Sequence, residues 1–449
     1  MKYLPGGYRS RTLLSCTHCF CLVAVSRFTS HLDKCSTIVV SGCRSFPHSS
    51  LGVSCPSENP LPALPSWEEV CELQCPTIRY IPHKARPAVA RVLSDVLRSI
   101  CFENSEEAWL KLFMLPKCVL RASKRGGRHC KHPSIEQLCG LWSQGDIGGI
   151  WNRIKRRPVI PPHKQNSPID VSKKKISSAI HVGLGRDGLL GKACQALVSP
   201  GIAPNTQEVW NLLQQKHPKG AQPSLPISSS PPVTHVLPQD FNILSVLHSF
   251  PKGTACGPSG LRIQHLLDSA QIHLSVPLCS SLRGVVDILA SGRAPISVSK
   301  FLAGGSLTAL VKNKGGRPLD IRPIAVGEAL RRLTGKCLCI ITKPKASDFF
   351  APLQYGVACT AGAEKVIHGV RSCIKEHWID DNFTVCKVDM SNAFNCVSRQ
   401  ALLEECAVHF PELLPWVGWC YGSQPTLWHP LGQLSSEVGV QQGDPLGPL

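Results

Sequence analysis

The sequence has no uncharged apolar run of about 18 residues, the length a helix needs to cross a bilayer, so no membrane-spanning helix is expected. It has no internal repeats, which sets aside solenoids and propellers. It is also poor in acid. Against 49 Lys and Arg there are only 30 Asp and Glu, a net charge of +19. A surplus of that size points to a polyanionic partner, nucleic acid first, with a basic solvated surface as the alternative reading. A clean small-residue cleavage site is missing after the mildly apolar residues 12–25, which also carry Thr17, His18 and three cysteines. A secretory signal peptide is therefore not expected.

Cysteine, by contrast, is plentiful at 23 residues. A secreted disulfide scaffold is usually shorter and denser in cysteine. Many cysteines here sit in apolar runs such as Lys336-Cys337-Leu338-Cys339-Ile340, where a free thiol acts as a small hydrophobe. The reading is a reduced, intracellular protein. With 449 residues, 43% of all residues hydrophobic, the chain can bury a real core and has room for two to four domains of roughly 100–200 residues each.

The charge is uneven. Residues 117–175 hold 14 Lys and Arg against 3 Asp and Glu. Along the chain, residues 1–40 carry a compact Cys/His cluster and 41–90 read as a linker rich in Pro, Ser and Cys. Residues 91–175 read as helical and then basic, partly disordered. In that stretch Val92, Val96, Ile100, Trp109, Leu112 and Phe113 carry the helical spacing. Residues 176–217 are helical by apolar spacing, with Thr206 placed as a helix cap. Residues 218–235 read as a second linker, and 236–449 as continuously globular.

In the first cluster, Cys16-x2-Cys19-x11-His31-x3-Cys35 has the spacing of a zinc site. One pair fits a tight turn and the other one face of a helix, giving a tetrahedron of three thiolates and one imidazole. A domain this small needs a metal or disulfides to stay folded. The spacing resembles the Cys-Cys-His-Cys zinc fingers of retroelement and nucleic-acid-binding proteins. Chance clustering in a Cys-rich chain is the alternative.

Four stretches of the C-terminal half carry chemistry. Lys252-Gly253-Thr254-Ala255-Cys256-Gly257-Pro258-Ser259-Gly260 is a Gly-rich turn ahead of a helix. Its amides can approach an anion or a nucleic acid strand, although alone it reads as an ordinary loop. Next, Leu307-Thr308-Ala309-Leu310-Val311 and Arg322-Pro323-Ile324-Ala325-Val326 read as paired strands. Lys312, Lys314, Arg317 and Arg322 cluster on that hairpin, which suits phosphate clamping or merely faces solvent. Phe383-Thr384-Val385-Cys386-Lys387-Val388-Asp389 reads as a strand with an Asp at its end, followed by a helix from about Met390 through Glu405. That Asp can hold a hard divalent cation or cap the helix. Last, Gly439-Val440-Gln441-Gln442-Gly443-Asp444-Pro445-Leu446-Gly447-Pro448-Leu449 is a Gly/Pro-rich loop.

In this order the four resemble the polymerase domain of reverse transcriptases of the non-long-terminal-repeat retrotransposon type, over roughly 236–449. The strongest pieces are Val388-Asp389-x3-Ala393-Phe394-Asn395 and Gln442-Gly443-Asp444-Pro445-Leu446-x-Pro448-Leu449. The resemblance implies an α+β, right-hand polymerase: fingers and a palm built on a small antiparallel sheet, here preceded by a helical region and the small N-terminal zinc finger. It implies RNA template, DNA primer and deoxynucleoside triphosphates as partners, and residence in the nucleus or cytoplasm. By position, Asp389 resembles the first Mg²⁺-binding carboxylate of two-metal nucleotidyl transfer. Phe394 resembles the aromatic that screens the sugar 2′ position, and Gln442 and Gly443 the loop under the template–nucleotide pair. Lys312 or Lys314, with Arg322, resemble residues that hold the triphosphate.

The match has gaps. The family's Asp-Asp hairpin should follow the Gln-Gly-Asp-Pro loop and does not occur in this sequence, and no thumb, endonuclease or RNase H pattern is present. Asp380-Asp381 precedes Asp389 and does not replace that hairpin by order. Asn395 stands where relatives often have Asp. The expectation is an incomplete palm, a truncated or decayed element, and no activity for this chain alone. The alternatives are a non-catalytic nucleic-acid-binding protein that keeps the finger and the basic segment as a relic of a mobile element, and a purely structural adaptor.

Overall fold

The computed structural model describes residues 13–15, 22–24, 63–122, 133–156, 176–177, 180, 190–226, 235–270, 275–312 and 319–449. The chain divides into two compact units, Met1–Leu61 and Pro62–Leu449. In the first unit, β1 (Leu13–Ser15) pairs antiparallel with β2 (Leu22–Ala24), Leu13 opposite Ala24. Cys16, Cys19, His31 and Cys35 lie outside the described residues.

In the second unit, helices start where the sequence supplies caps. Ser66 and Glu69 form a reciprocal capping box on α1 (Trp67–Glu72), which satisfies amides that have no partner within the helix. Pro87 opens α2 (Arg86–Glu103), and Asn104 ends it in the left-handed conformation. Ser105 caps α3 (Glu106–Val119), with Glu106 and Glu107 at the positive end of its dipole. On α2, Val89, Val92, Leu93, Val96, Leu97 and Ile100 recur at threes and fours, and all are buried. Trp67 stacks on Phe301 at 4.9 Å and meets Phe113 edge-on at 5.1 Å. Residues 67–90, expected within a linker, thus contribute core side chains such as Val70 and Ile81. At six residues, α1 is too short for apolar periodicity to reveal it.

Helices α4 (Ile135–Ser143), α5 (Ile147–Lys155), α6 (Leu190–Val198) and α7 (Gln207–Gln215) follow. Thr206 caps α7, its hydroxyl accepting from the Val209 amide at 3.4 Å. Then come α8 (Ile243–His248), α9 (Ile263–Ala270), α10 (Ser275–Ala290) and α11 (Ile296–Leu302). Helix α10 packs along α2, and Leu282, Val285, Val286 and Leu289 share one apolar cluster with the α2 side chains. Polar contacts reinforce the junction. Arg86 pairs with Asp268 at 2.9 Å, and Asp268 also accepts from the Ile81 amide at 2.8 Å. Buried His265 donates from Nε2 to the Ile78 carbonyl at 2.7 Å, while its Nδ1 accepts from the Arg262 amide at 3.3 Å.

The two β-strands read from the sequence form β3 (Gly305–Val311) and β4 (Ile321–Gly327), paired antiparallel from Gly305↔Gly327 to Val311↔Ile321. Five helices follow: α12 (Ala329–Phe350), α13 (Gly362–Glu376), α14 (Ala393–Cys396), α15 (Arg399–His409) and α16 (Leu414–Tyr421). The hairpin β5 (Thr426–His429) and β6 (Gly432–Ser435) completes a four-stranded sheet in the order β4-β3-β5-β6. Because β5 runs parallel to β3, the sheet is mixed, where an antiparallel one was expected. One face of it, Leu307, Ala309, Ile321, Ala325 and Leu427, packs on Val209, Trp210 and Leu213 of α7. The fold class is α+β.

One expected strand does not form. Residues 383–389 lie outside any helix or strand, and Val385 and Val388 are exposed. A strand needs a hydrogen-bonded neighbour to persist, and none of the described strands lies beside this segment. The helix expected from Met390 onward is broken at Val397, which leaves short α14 and a separately capped α15.

Buried thiols behave as small apolar groups. Burial pushes Cys71, Cys139 and Cys337 up to about 12. Among the described residues no helix is long and apolar enough to cross a membrane. His265 makes the fold acid-sensitive: burial lowers it to about 4 from an ordinary 6.5. The unfolded chain takes up that proton first. Stability is therefore full above about pH 6.5 and falls between there and pH 4, by up to about 3 kcal/mol. Denaturant titrations across that window should show a shallower loss in His265→Gln than in the parent chain.

Candidate functional site

The β3–β4 hairpin is closed by charge. The Lys312 amide donates to the Asp320 carbonyl at 2.9 Å. The Asp320 carboxylate pairs with Lys312 at 3.2 Å and with Lys216, just past α7, at 3.1 Å. The Lys216 hydrogen bond holds the Asp320 carboxyl below its ordinary value, and Lys312 adds to this. Arg322 is exposed on β4. Lys314 and Arg317 lie outside the described residues. Of the expected phosphate-clamping group, then, Lys312 and Arg322 share one hairpin, and Lys312 already has a carboxylate beside it.

The Gly-rich turn does bind an anion, but one from its own chain. The Ser259 amide and hydroxyl donate to the Glu328 carboxylate at 2.7 and 2.6 Å. Gly257 lies so close that a Cβ there would come within 2.8 Å of the Glu328 Cα. Burial raises the Glu328 carboxyl, and the Ser259 hydrogen bonds oppose that rise. Beside it, Arg332 reaches the Ala255 carbonyl at 2.6 Å. The turn is thereby fastened to the start of α12.

The Gly/Pro-rich loop lies against β4. The Ala325 amide donates to the Gln442 carbonyl at 3.0 Å. Gly443 has φ +127°, and a Cβ there would sit 2.6 Å from the Ala325 carbonyl oxygen, so this crossing requires glycine. Beneath it is a buried polar network that the sequence did not reveal. Arg331 pairs with Asp444 at 2.7 Å, and both side chains are almost wholly buried. Tyr421 donates to the same carboxylate at 2.6 Å. Arg331 also bonds Gln441 and the Ala303 carbonyl, and the Gln441 side-chain amide donates to Ala303 at 2.9 Å. Burial works against the Arg331 charge, but Tyr421 and Asp444 outweigh it and Arg331 is held protonated. Arg399 lies 5.1 Å from the Tyr421 ring centroid and donates to the Gly439 carbonyl at 2.9 Å and the Ser423 carbonyl at 3.1 Å. Burial lowers Arg399 to about 10.

Phe394 joins this assembly. The Val440 amide donates to its carbonyl at 2.7 Å, and a Cβ on Gly447 would lie 3.4 Å from its ring. Phe394 as a whole is 38% exposed. Asn395 is buried and donates to the Lys216 carbonyl at 2.9 Å, as does Asn392. An Asp at 395 would set a carboxylate against that carbonyl, so the donor amide is needed here. Lys216 thus ties the hairpin to the Phe394 turn, a role without any motif signal.

Asp389 is not part of this cluster. It is exposed on the unpaired segment, and among the described residues no group of three His, Cys, Asp or Glu is placed to hold a metal ion. Asp380 closes a local turn, its carboxylate accepting from the Asn382 amide at 2.9 Å. Cys139 is buried in the core.

What the described side chains can do is present two exposed cations on the β3–β4 hairpin and, against the 439–447 loop, the partly exposed Phe394. Removing one partner of the buried pair leaves an unmatched charge, which typically costs about 3–5 kcal/mol. Asp444→Ala should therefore cost that much in denaturant unfolding, and Arg331→Met with Asp444→Leu should recover a large part of it.

No protein-family model matches this chain, and no curated protein matches it.

Proposed function

We propose that this chain is a reverse-transcriptase-type unit, an RNA-directed DNA polymerase of non-long-terminal-repeat retrotransposon descent, whose fingers and palm residues hold an RNA template and a DNA primer. The observation that carries the reading is convergence. Three stretches far apart in sequence meet at one loop: Ala325 of β4, Phe394 with Asn395, and Gln442 with Gly443. In this reading Lys312 and Arg322, with Lys314 beside them in sequence, attract phosphate oxygens. Arg322 offers a planar fork and the lysines compact point charges. The exposed edge of Phe394 is the apolar wall against a sugar. Gln442 and Gly443 form the floor under the template–nucleotide pair. Cys16, Cys19, His31 and Cys35 would hold Zn²⁺ in a finger that adds a nucleic-acid contact.

Nucleotidyl transfer of this class needs carboxylates around two Mg²⁺ ions about 3.5–4 Å apart. Asp389 alone does not provide that, and no metal-dependent step is assigned to these residues. The same observation favours a second reading, a non-catalytic nucleic-acid-binding relic of a mobile element.

Primer–template binding is the test. Affinity for an RNA–DNA hybrid should fall steeply with salt, and Lys312→Ala and Arg322→Ala should each flatten the log–log slope by about one. Binding that ignores salt would overturn both nucleic-acid readings. Primer extension with Mg²⁺ and deoxynucleotides should give no product. Product that vanishes in Asp389→Ala would instead establish catalysis and discard the relic reading.

A further inference from the structure

The two faces of the four-stranded sheet differ in chemistry. Side chains alternate along a strand, so while Leu307 and Leu427 pack toward α7, Ser306, Thr308 and Trp428 share the opposite face. On that face a cavity of about 760 Å³ opens between the sheet, the end of α1 and the Gly-rich turn. Glu72, Pro258 and Gln433 line it together with Ser306, Thr308 and Trp428. Glu72 and Gln433 are exposed at its mouth.

Two groups of this lining have hydrogen-bonding capacity to spare. The Trp428 Nε1 is shielded from solvent and meets no acceptor among the described residues. A shielded donor in that state is unfavourable, and a ligand that brings an acceptor relieves it. Glu68 and Glu69 are paired with Lys300 at 3.2 Å and Lys155 at 2.6 Å, whereas Glu72 pairs with no cation among the described residues. No Lys or Arg lines the cavity, and burial lowers His429, which keeps it neutral near pH 7. In a chain of net charge +19, a cavity whose one charge is a carboxylate does not suit a phosphate. It suits the edge of a base. The indole N–H fits a ring nitrogen or carbonyl, and the carboxylate fits an exocyclic amine.

We infer that this cavity selects an unpaired, amine-bearing nucleobase such as cytosine, from a strand whose phosphate meets Arg322. The inference rests on the nucleic-acid reading above and adds base selectivity to it. The span is short enough for one nucleotide. Arg322 stands opposite Leu310 on the same sheet face, two residues beyond Thr308, which is about 7 Å along the strand. Uracil carries a carbonyl where cytosine carries its amine, so the Glu72 carboxylate attracts one base and repels the other. A cationic side chain of a partner protein would also satisfy Glu72, but it would offer the indole N–H no acceptor of its own.

Fluorescence anisotropy of labelled single-stranded oligo(C) and oligo(U) RNA on the full chain, at fixed salt and neutral pH, tests it. The parent should bind oligo(C) about tenfold tighter, the worth of one hydrogen bond to a charged group. Glu72→Gln removes a negative charge, so electrostatics alone would tighten both strands alike and keep their ratio. The ratio is expected instead to fall toward one. Trp428→Phe keeps a ring but removes the N–H, and should weaken oligo(C) with unchanged far-ultraviolet circular dichroism. Arg322→Ala should weaken both strands equally. A parent that binds both strands in a salt-dependent way without distinguishing them overturns this inference alone, and one that binds neither overturns the nucleic-acid reading with it. A ratio that survives Glu72→Gln also overturns it. Binding of a tetra-arginine peptide that is lost in Glu72→Gln, with both strands unaffected, would assign the cavity to a protein partner instead.

Discussion

A guanidinium shut away from water has to be matched, and Arg331 is shut away almost completely. Asp444 supplies the opposite charge, and Tyr421, Gln441 and the Ala303 carbonyl take up further hydrogen-bonding capacity at the two terminal nitrogens. In low dielectric such a pair is strong only when its geometry is complete. The backbone positions of the 439–447 loop follow from it. Once Asp444 is fixed, Gln442 and Gly443 are delivered to β4, and Val440 to Phe394. The exposed edges that a ligand would meet are the outer skin of this buried core of charge.

Much of the architecture was legible because it rests on local signals. The β3–β4 hairpin shows in alternating apolar residues on either side of a basic, Gly-containing turn, and Thr206 in its position ahead of an apolar period. The Gly/Pro-rich loop was legible as a loop but not as a platform, since Asp444 reads like any turn residue until Arg331 is seen opposite it. Lys216, Glu328 and Arg399 gave no signal at all. Each acts through a partner dozens of residues away, and single-residue chemistry does not announce such pairings. The segment at 383–389 failed in the other direction. Its composition suits a strand, but strand formation depends on a neighbour as much as on the segment itself.

The Gly-rich turn is a related case. Taken alone it reads as an ordinary loop whose amides can approach an anion, and the anion that the Ser259 amide meets is a side chain. Glu328 is held by Ser259, at the head of the helix that also carries Arg331. The turn therefore serves as a bracket for α12, and through α12 it bears on the loop at the other end of the network.

The separation of Arg331 from Asp444 by 113 positions has a consequence for the chain's birth. A ribosome delivers residues in order, and domains tend to organise from the N-terminus as they emerge. For the whole interval between the two, α12 carries a cation whose partner has not yet been synthesised, so burying it would leave that charge unmatched. The nascent chain can assemble its α2–α3 layer early, but α12 has to wait outside. That interval leaves uncovered Leu330, Leu333 and Leu338, which are buried in the finished fold.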